Sequence, residues 1–482
     1  MENSRTFDLL ETWSQKLETP SVRLVFLKLA FLGKESDSEI IHRLLSPWEV
    51  SFANQEEADI IISYKGELPE TDKTIVIPSD SPEFAACACK LNLRFEKKTE
   101  KRVLVDAERQ TSLSISPKVF YHYEKLGEMV TNSIPETSLK IDQKVVLLTM
   151  DILEEHRRIW NTAFNKEVSK AYRLLTGLPL LYNLTPRQLK DSFMKTKKKP
   201  GRLTLNDKLP LDALRLILVG AIEKMSGKKL KQKEWSGKRI AYAITHDVDT
   251  SEGFQKAKRL KRLEEKYDLP SAWYIPTKQY ALQRETVLEL ANHGEIGTHD
   301  TKHDGKLIGQ PEKAMATRLR ESRLRLENIL GSPILGFRAP LLQHSLGIVN
   351  AAKKAGYKYD TSVPTWEPRH PTTMSAHGIG TTYPLNVNGL CEIPLTLPQD
   401  HQLLSVLGLT PKETVETWID LKRTIMKVGG ICTVLVHPDH KLADLENLRY
   451  YETLLNDVAT DNSSWVTLPA AIVTECGLRD FE

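Results

Sequence analysis

A histidine and two aspartates stand within four positions of one another at the end of an apolar run, in ITHDVDT at 244–250. Like charges confined together raise each other's free energy, so His246, Asp247 and Asp249 need either open solvent or a cation. A second cluster, GTHDTKHD at 297–304, places His299 and His303 four residues apart, where a helical turn would put both imidazoles on one face. Two imidazole nitrogens and one carboxylate oxygen suit zinc and its divalent neighbours in a three-ligand site that keeps a position open, and Asp249 is the candidate oxygen. Taken alone, a His-x-x-x-His pair more often serves at a surface or a cap. The second acidic cluster shifts the balance toward metal. Asp247 and Asp249 are two positions apart, so an extended chain points both the same way, one toward the ion and one free to accept a proton.

Two further apolar runs end in functional groups. His437 follows ICTVLV and precedes Pro438, Asp439 and His440, a place from which a histidine can protonate a leaving group; the plainer alternative is a capping or buried structural histidine. Arg338, in FRAP at 337–340, can orient the Asp247 carboxylate, and the backbone N–H of Leu341 after Pro340 is a candidate oxyanion donor.

The elements that must position these groups are strand-like runs alternating with helical ones from about residue 238: RIAYAIT, SAWYIPT at 271–277, EIGTH at 295–299, ILGFRAP at 334–340 and ICTVLVH at 431–437, with RETVLELANHG and RLRESRLRLENILG between. This is the order of a β/α architecture, in which functional groups collect at the C-terminal ends of parallel strands. Earlier in the chain, VRLVFL, ADIIISY at 58–64 and KTIVIPSD at 73–80 read as strands of a small α/β domain over residues 1–140, with no activity suggested. VVLLTMDILEEHRRIWNTAF, EVSKAYRLLTGLP and LDALRLILVGAIEKM read as helices. Residues 141–237 are therefore expected as a helical connector or an elaboration of the last domain, and 238–482 as the catalytic domain.

Bulk composition excludes more than it assigns. A chain of 482 residues predicts two to four domains, and 67 basic against 63 acidic side chains say little about partners. The basic runs, Lys195 to Arg202 and KKLKQK at 228–233, lack interleaved aromatics, so no nucleic-acid partner is expected. Five cysteines are too few and scattered for a disulfide framework. MENSRTFDLLETW lacks the pattern of a secretory signal, and VRLVFLKLAFLG is too short to span a bilayer and includes Arg23 and Lys28. A cytoplasmic protein without a transmembrane segment is expected, with peripheral membrane contact left open and the oligomeric state unassigned. No Walker-type loop, Gly-x-Gly-x-x-Gly or Gly-x-Ser-x-Gly pentapeptide occurs, which sets aside nucleotide enzymes and serine hydrolases.

With these pieces in place, the chain from about 240 onward resembles the NodB-type polysaccharide deacetylases, carbohydrate esterase family 4. THDVD at 245–249, GTHDTKH at 297–303, FRAP at 337–340, YDTSVPTW at 359–366 and LVHPD at 435–439 are similar to that family's five motifs in order. Two departures stand out: Val248 separates aspartates that are usually adjacent, and Leu341 stands where tyrosine is common. The resemblance implies a deformed (β/α) barrel preceded by the small α/β domain and helical connector. It implies a divalent metal, zinc first, held by Asp249, His299 and His303. In the catalytic set it places Asp247 as general base, His437 as general acid, Arg338 as orienter and the Leu341 N–H as oxyanion donor. Asp360, Trp366 and Asp400 are the candidates for substrate contact or support of His437. The implied reaction is hydrolysis of an amide, an N-acetyl group on a sugar or saccharide intermediate, by metal-activated water. A cyclic or other non-sugar amide is the alternative substrate, and a non-catalytic carbohydrate-binding protein the alternative role.

Overall fold

The computed structural model describes residues 27–64, 68–69, 73–99, 102–106, 111–115, 117, 119–125, 137–164 and 201–477. Strands β1 (Leu27–Leu32), β2 (Val50–Phe52), β3 (Ile60–Tyr64) and β4 (Thr74–Ile77) form a parallel sheet; ADIIISY and KTIVIPSD supply β3 and β4, whereas VRLVFL lies outside the described residues up to Leu27, where β1 begins. Beside them, β5 (Leu93–Lys98) pairs antiparallel with β8 (Phe120–Lys125), and β6 (Arg102–Asp106) with β7 (Thr111–Ile115). The sheet is completed by β9 (Ser138–Lys140) and β10 (Val145–Leu148), in the order β2-β1-β3-β4-β10-β9.

Strand β10 corrects an expectation. Val145–Leu148 was to open a helix, yet it lies parallel to β4 with all four residues buried. Four buried apolar residues have the same pattern in a core strand as in a buried helix, and here the open edge of β4 decides. The expected helix starts only at Ile152 and runs to Phe164. EVSKAYRLLTGLP and the basic run up to Pro200 lie outside the described residues.

The helix Pro210–Ser226 packs on the first sheet, and its first turn bonds to the segment Gly380–Thr382 that precedes β16. Its Asp212 carboxylate, buried with Arg215, accepts hydrogen bonds from Arg215 Nη1 at 2.6 Å, Thr381 Oγ1 at 2.7 Å, and the N–H and hydroxyl of Thr382 at 2.9 and 3.2 Å. Gly380, within the HGIGTT stretch, has φ +72° and a Cβ there would meet Pro210 Cδ at 2.4 Å, so both conformation and close approach require glycine.

The second sheet is a curled half-barrel of mainly parallel strands. It comprises β11 (Ile240–Asp247), β12 (Ser271–Ile275), β13 (Gly294–Thr298), β14 (Gly336–Phe337), β15 (Tyr359–Asp360), β16 (Leu385–Val387), β17 (Leu390–Glu392), β18 (Gly430–Leu435) and β19 (Ser464–Val466). The order is β16-β17-β15-β14-β13-β12-β11-β18, with only the β16–β17 pair antiparallel. All eight residues of β11 are buried, as a central parallel strand covered on both faces requires. Its pairing with β18 spans Ile240–Thr245, so β12 and β19 must share its other edge, β19 at Ile240–Tyr242 and β12 at Ile244–Asp247. The far end curls back onto β18 through Leu397 N–H to Thr433 O (3.1 Å) and Ile431 N–H to Thr382 O (2.7 Å). Helices Ser251–Lys266, Arg284–Ala291, Glu312–Leu330, Leu346–Ala355, Pro411–Val428 and Leu448–Ala459 flank it. The architecture is a deformed (β/α) barrel preceded by a smaller α/β domain. Among the described residues, no helix is long and apolar enough to cross a membrane.

Candidate metal centre

The C-terminal ends of β11, β13, β14 and β18 deliver the titratable groups to one mouth of the barrel. Val248 N–H still bonds to Tyr274 O at 3.0 Å, so the chain stays extended past β11 and both aspartates face the same side. Thr250 then caps the helix Ser251–Lys266, its hydroxyl accepting from Gly253 N–H (3.0 Å) and donating to Asp439 (2.9 Å), which joins ITHDVDT to HPD.

Asp249 Oδ1 lies 3.2 Å from His299 Nε2, and its Oδ2 lies 3.4 Å from His303 Nε2. The three ligand atoms fall within 4.8 Å of one another. His299 Nδ1 is 2.9 Å from the Arg338 carbonyl, so that nitrogen carries the proton and Nε2 presents its lone pair to Asp249. Asp249 Oδ1 is buried without a hydrogen-bond donor. An oriented imidazole, a second imidazole and an undonated carboxylate oxygen together make a donor set that fits a divalent cation. His299 is 1 % exposed while Asp249 and His303 are 17 % exposed, so access is from one side.

The histidine pair does not sit on a helix. His299 follows β13 directly, and the chain turns at Asp300 with φ 63° before reaching His303. A loop brings the two rings to 5.4 Å because Arg318, from the helix Glu312–Leu330, holds it. Its Nε donates to Asp300 Oδ1 at 2.7 Å, and its Nη2 donates to Asp304 Oδ1 at 2.9 Å and the Lys302 carbonyl at 3.1 Å. Nothing in the spacing of the sequence marks Arg318.

Asp247 is 2 % exposed and stands to one side of the triad, its Oδ2 3.9 Å from His299 Nε2. Its Oδ1 accepts from Arg338 Nη1 at 3.0 Å. That guanidinium is fully buried, also donates to Thr245 Oγ1, the Thr361 carbonyl and Thr361 Oγ1, and lies 4.4 Å over the Tyr274 ring. One oxygen of Asp247 is thus fixed, and the other faces the site.

His437 also borders the triad, Nε2 3.9 Å from Asp249 Oδ2. Its Nδ1 is 2.5 Å from Asp400 Oδ1, and its backbone N–H donates to Asp400 Oδ2 at 2.9 Å. Burial disfavours charge on His437, but the Asp400 charge and hydrogen bond outweigh it and push the imidazole up to about 10. Burial would raise the Asp400 carboxyl, yet His437 and His440 hold it well below the usual range. Burial also opposes ionisation of Asp249, and the His303, His299 and His437 rings overcome it. Burial lowers His303, whereas on His299 the Asp247 and Asp249 carboxylates outweigh burial and raise it.

The residues proposed for substrate contact separate. Asp400 is enclosed, with its Oδ1 against His437 Nδ1. Asp360 is equally enclosed, bonded to Ser362 and next to Glu392 in register; burial pushes its carboxyl up to about 7. Trp366 is partly exposed, with Lys208 Nζ 5.0 Å over its ring. His246 turns away from the site: its ring stacks 4.0 Å from Trp273, Nδ1 is 2.9 Å from Val436 O, and Nε2 is 2.8 Å from Glu264. It ties the end of β11 to the residue before His437.

Residues 237–359 match the polysaccharide deacetylase family model, a segment that holds Asp247, Asp249, His299, His303 and Arg338 and ends before Asp400 and His437. No curated protein matches the chain. Among solved structures, a protein from Mycobacterium smegmatis named as a polysaccharide deacetylase is 18% identical, with 52% of this chain and 94% of that one covered at TM-score 0.43. One from Pseudomonas aeruginosa PAO1, named likewise, is 12% identical over 50% and 92% at TM-score 0.42. Puue allantoinase is 14% identical over 50% and 91% at TM-score 0.40. Likeness at this level leaves the weight on the matched segment and on the site. Residues 237–359 thus match the polysaccharide deacetylase model, and the buried Asp-His-His triad at the mouth of the curled β/α sheet is a site fitted to metal-dependent hydrolysis of an amide.

Proposed function

We propose that this protein is a zinc-dependent N-deacetylase of an N-acetylated sugar or saccharide intermediate, working in the cytoplasm. The observation that carries the reading is the placement of the Asp249, His299 and His303 triad between two differently prepared groups, Asp247 on Arg338 and His437 on Asp400. Two imidazoles with one carboxylate favour zinc over the harder cations, which prefer all-oxygen sites. A divalent ion held there supplies Lewis acidity to the amide carbonyl and lowers the pKa of water.

The side chains divide the remaining work. Arg338 holds Asp247 Oδ1, so Oδ2 accepts the proton of the attacking water. The Leu341 N–H donates to the oxygen that gains charge as the carbonyl becomes tetrahedral. His437 enters protonated, because Asp400 stabilises the imidazolium, and its Nε2–H is given to the departing amine. Trp366 offers a ring face of the kind sugars stack on. The family's activity, as its description states it, supports the acetylated substrate.

The test is to offer metal-loaded full chain N-acetylated sugars, nucleotide sugars and cyclic amides and follow products by mass spectrometry. Acetate release is expected; ring opening without acetate would replace the saccharide by a cyclic amide. Metal content is measured beside it in His299→Ala and His303→Ala, where loss of bound zinc is expected. Undiminished zinc in both variants would reject the ligand assignment.

A further inference from the structure

Outside the metal-binding set, two histidines meet one backbone carbonyl and a third backs one of them. His344 Nδ1 is 2.8 Å and His370 Nε2 is 3.0 Å from Leu342 O, and His344 Nε2 is 2.9 Å from His377 Nε2. The rings stand 5.0 to 5.2 Å apart, and all three are buried. Their tautomers follow from the partners. Thr372 N–H donates to His370 Nδ1 at 3.3 Å, so His370 Nε2 carries the hydrogen that reaches Leu342. His344 uses its Nδ1–H on the same carbonyl, which leaves Nε2 to accept from His377 Nε2–H. Both lone pairs of one carbonyl are thereby taken by two N–H donors. Burial lowers His344 to about 4, in keeping with a neutral ring.

The clamped residue closes an unusual turn. Leu341 and Leu342 both have left-handed backbone, φ 59° and 51°, a conformation unfavourable for leucine that persists only where the surroundings over-determine it. The entrance of the turn is tied to the metal centre, since the Arg338 carbonyl accepts from His299 and its guanidinium holds Asp247. Within it, Leu342 N–H bonds to Ala339 O and Gln343 N–H to Pro340 O. The exit is held by the histidines and by the Leu342 side chain, packed with Leu395 and Leu435. Among the described residues the Leu341 N–H donates to no backbone carbonyl. His370 and His377 come from a hairpin in which Glu367 and His377 exchange backbone hydrogen bonds at 2.8 and 3.1 Å, and Glu367 also accepts from Gln399 N–H, next to Asp400.

We infer that His344, His370 and His377 are positioning residues that lock the Leu341–Leu342 turn and so aim the Leu341 N–H at the developing oxyanion. The inference rests on the oxyanion role given to that N–H above. A misaimed donor loses interaction in the transition state without altering substrate binding or the metal. His370→Leu and His377→Leu are therefore expected to lower kcat per bound metal by about ten- to hundredfold, with KM within about twofold and zinc stoichiometry intact. His370→Gln, which keeps a donor, is expected to recover most of the rate. A residue that merely stabilised the fold would change the fraction of active protein and leave kcat per bound metal unchanged, and that result overturns the inference. A crystal structure of His370→Gln and His370→Leu decides independently of turnover: the left-handed turn should persist in the first and relax in the second. Positive φ at both leucines in His370→Leu would overturn the clamp even if the wild type hydrolysed no amide, an outcome that would instead reject the proposed function.

Discussion

Arg318 offers the sharpest quantitative test, because it touches no ligand atom yet holds the loop that carries one. Its guanidinium contacts both oxygens of the buried Asp300 at 2.7 Å, Asp304 at 2.9 Å and the Lys302 carbonyl at 3.1 Å. Replacement by alanine removes all of these together. Part of the loop stays anchored regardless: Asp300 O accepts from Thr277 N–H and Ser322 Oγ, and Thr301 O from Lys278 N–H at 2.7 Å. Freedom is gained mainly at Lys302 and His303, whose backbone is then held, among the described residues, by its N–H to Gln279 at 3.2 Å. Ordering a residue costs about 1–2 kcal/mol, so restoring these on binding should weaken metal affinity by roughly 1.5–3 kcal/mol, or about ten- to hundredfold. Competition against a calibrated chelator with zinc gives the affinity directly. At saturating zinc, one equivalent should still bind and turnover should stay within about fivefold of wild type, since His299, Asp249 and Asp247 keep their own supports. An unchanged zinc affinity in Arg318→Ala would refute the reasoning, and so would loss of zinc that no concentration restores.

Two further outcomes follow from buried carboxyls. Asp400→Asn removes the charge that raises His437, so the imidazole should lose its proton at lower pH, moving the alkaline limb of kcat/KM down and lowering kcat by about 10²-fold; a pH–rate profile with an unmoved alkaline limb would contradict this. Asp360 is pushed up to about 7 by burial, so the native state holds its proton more tightly than the unfolded chain does. Its contribution should fall by on the order of a few kcal/mol as pH rises from about 4 to 7, then level off. The thermal midpoint of Asp360→Asn, measured from pH 5 to 8, should decline less steeply with pH than that of wild type, and parallel slopes would exclude Asp360 as a source.

How much of this was legible from the sequence depended on distance along the chain. Strand ends were readable because parallel strands running into polar residues place those residues at one mouth, and His246, Asp247 and His299 each follow or close such a run. Side chains alternate along a strand, and His246 accordingly lies on the other face from Asp247, stacked on Trp273. What holds these groups was not readable. Arg318 lies on a long charged helix with no mark distinguishing it from its neighbours, and Glu264 likewise sits on a charged helix although it is wholly buried against His246. Asp400, 37 residues from His437, could be proposed from LPQD but not assigned to that ring, because no local period connects them. The misread Val145–Leu148 shows the complementary limit: four apolar residues contain too little pattern to choose strand over helix when a sheet edge elsewhere decides.

The carboxylate of Asp212 bears on where this barrel begins. The family match starts at 237, but the donors of Thr381 and Thr382, on the far rim, are satisfied by a side chain that precedes it. Leu211 N–H reaches the Gly380 carbonyl at 3.0 Å, and Thr382 in turn supplies the carbonyl that receives β18. A fragment cut at the start of the family match would keep every motif residue and yet strand a row of buried polar groups at the seam where the sheet curls shut. The smallest piece with a sealed seam therefore includes the helix from Pro210, which makes that helix a stave of the barrel as much as a lid on the first sheet.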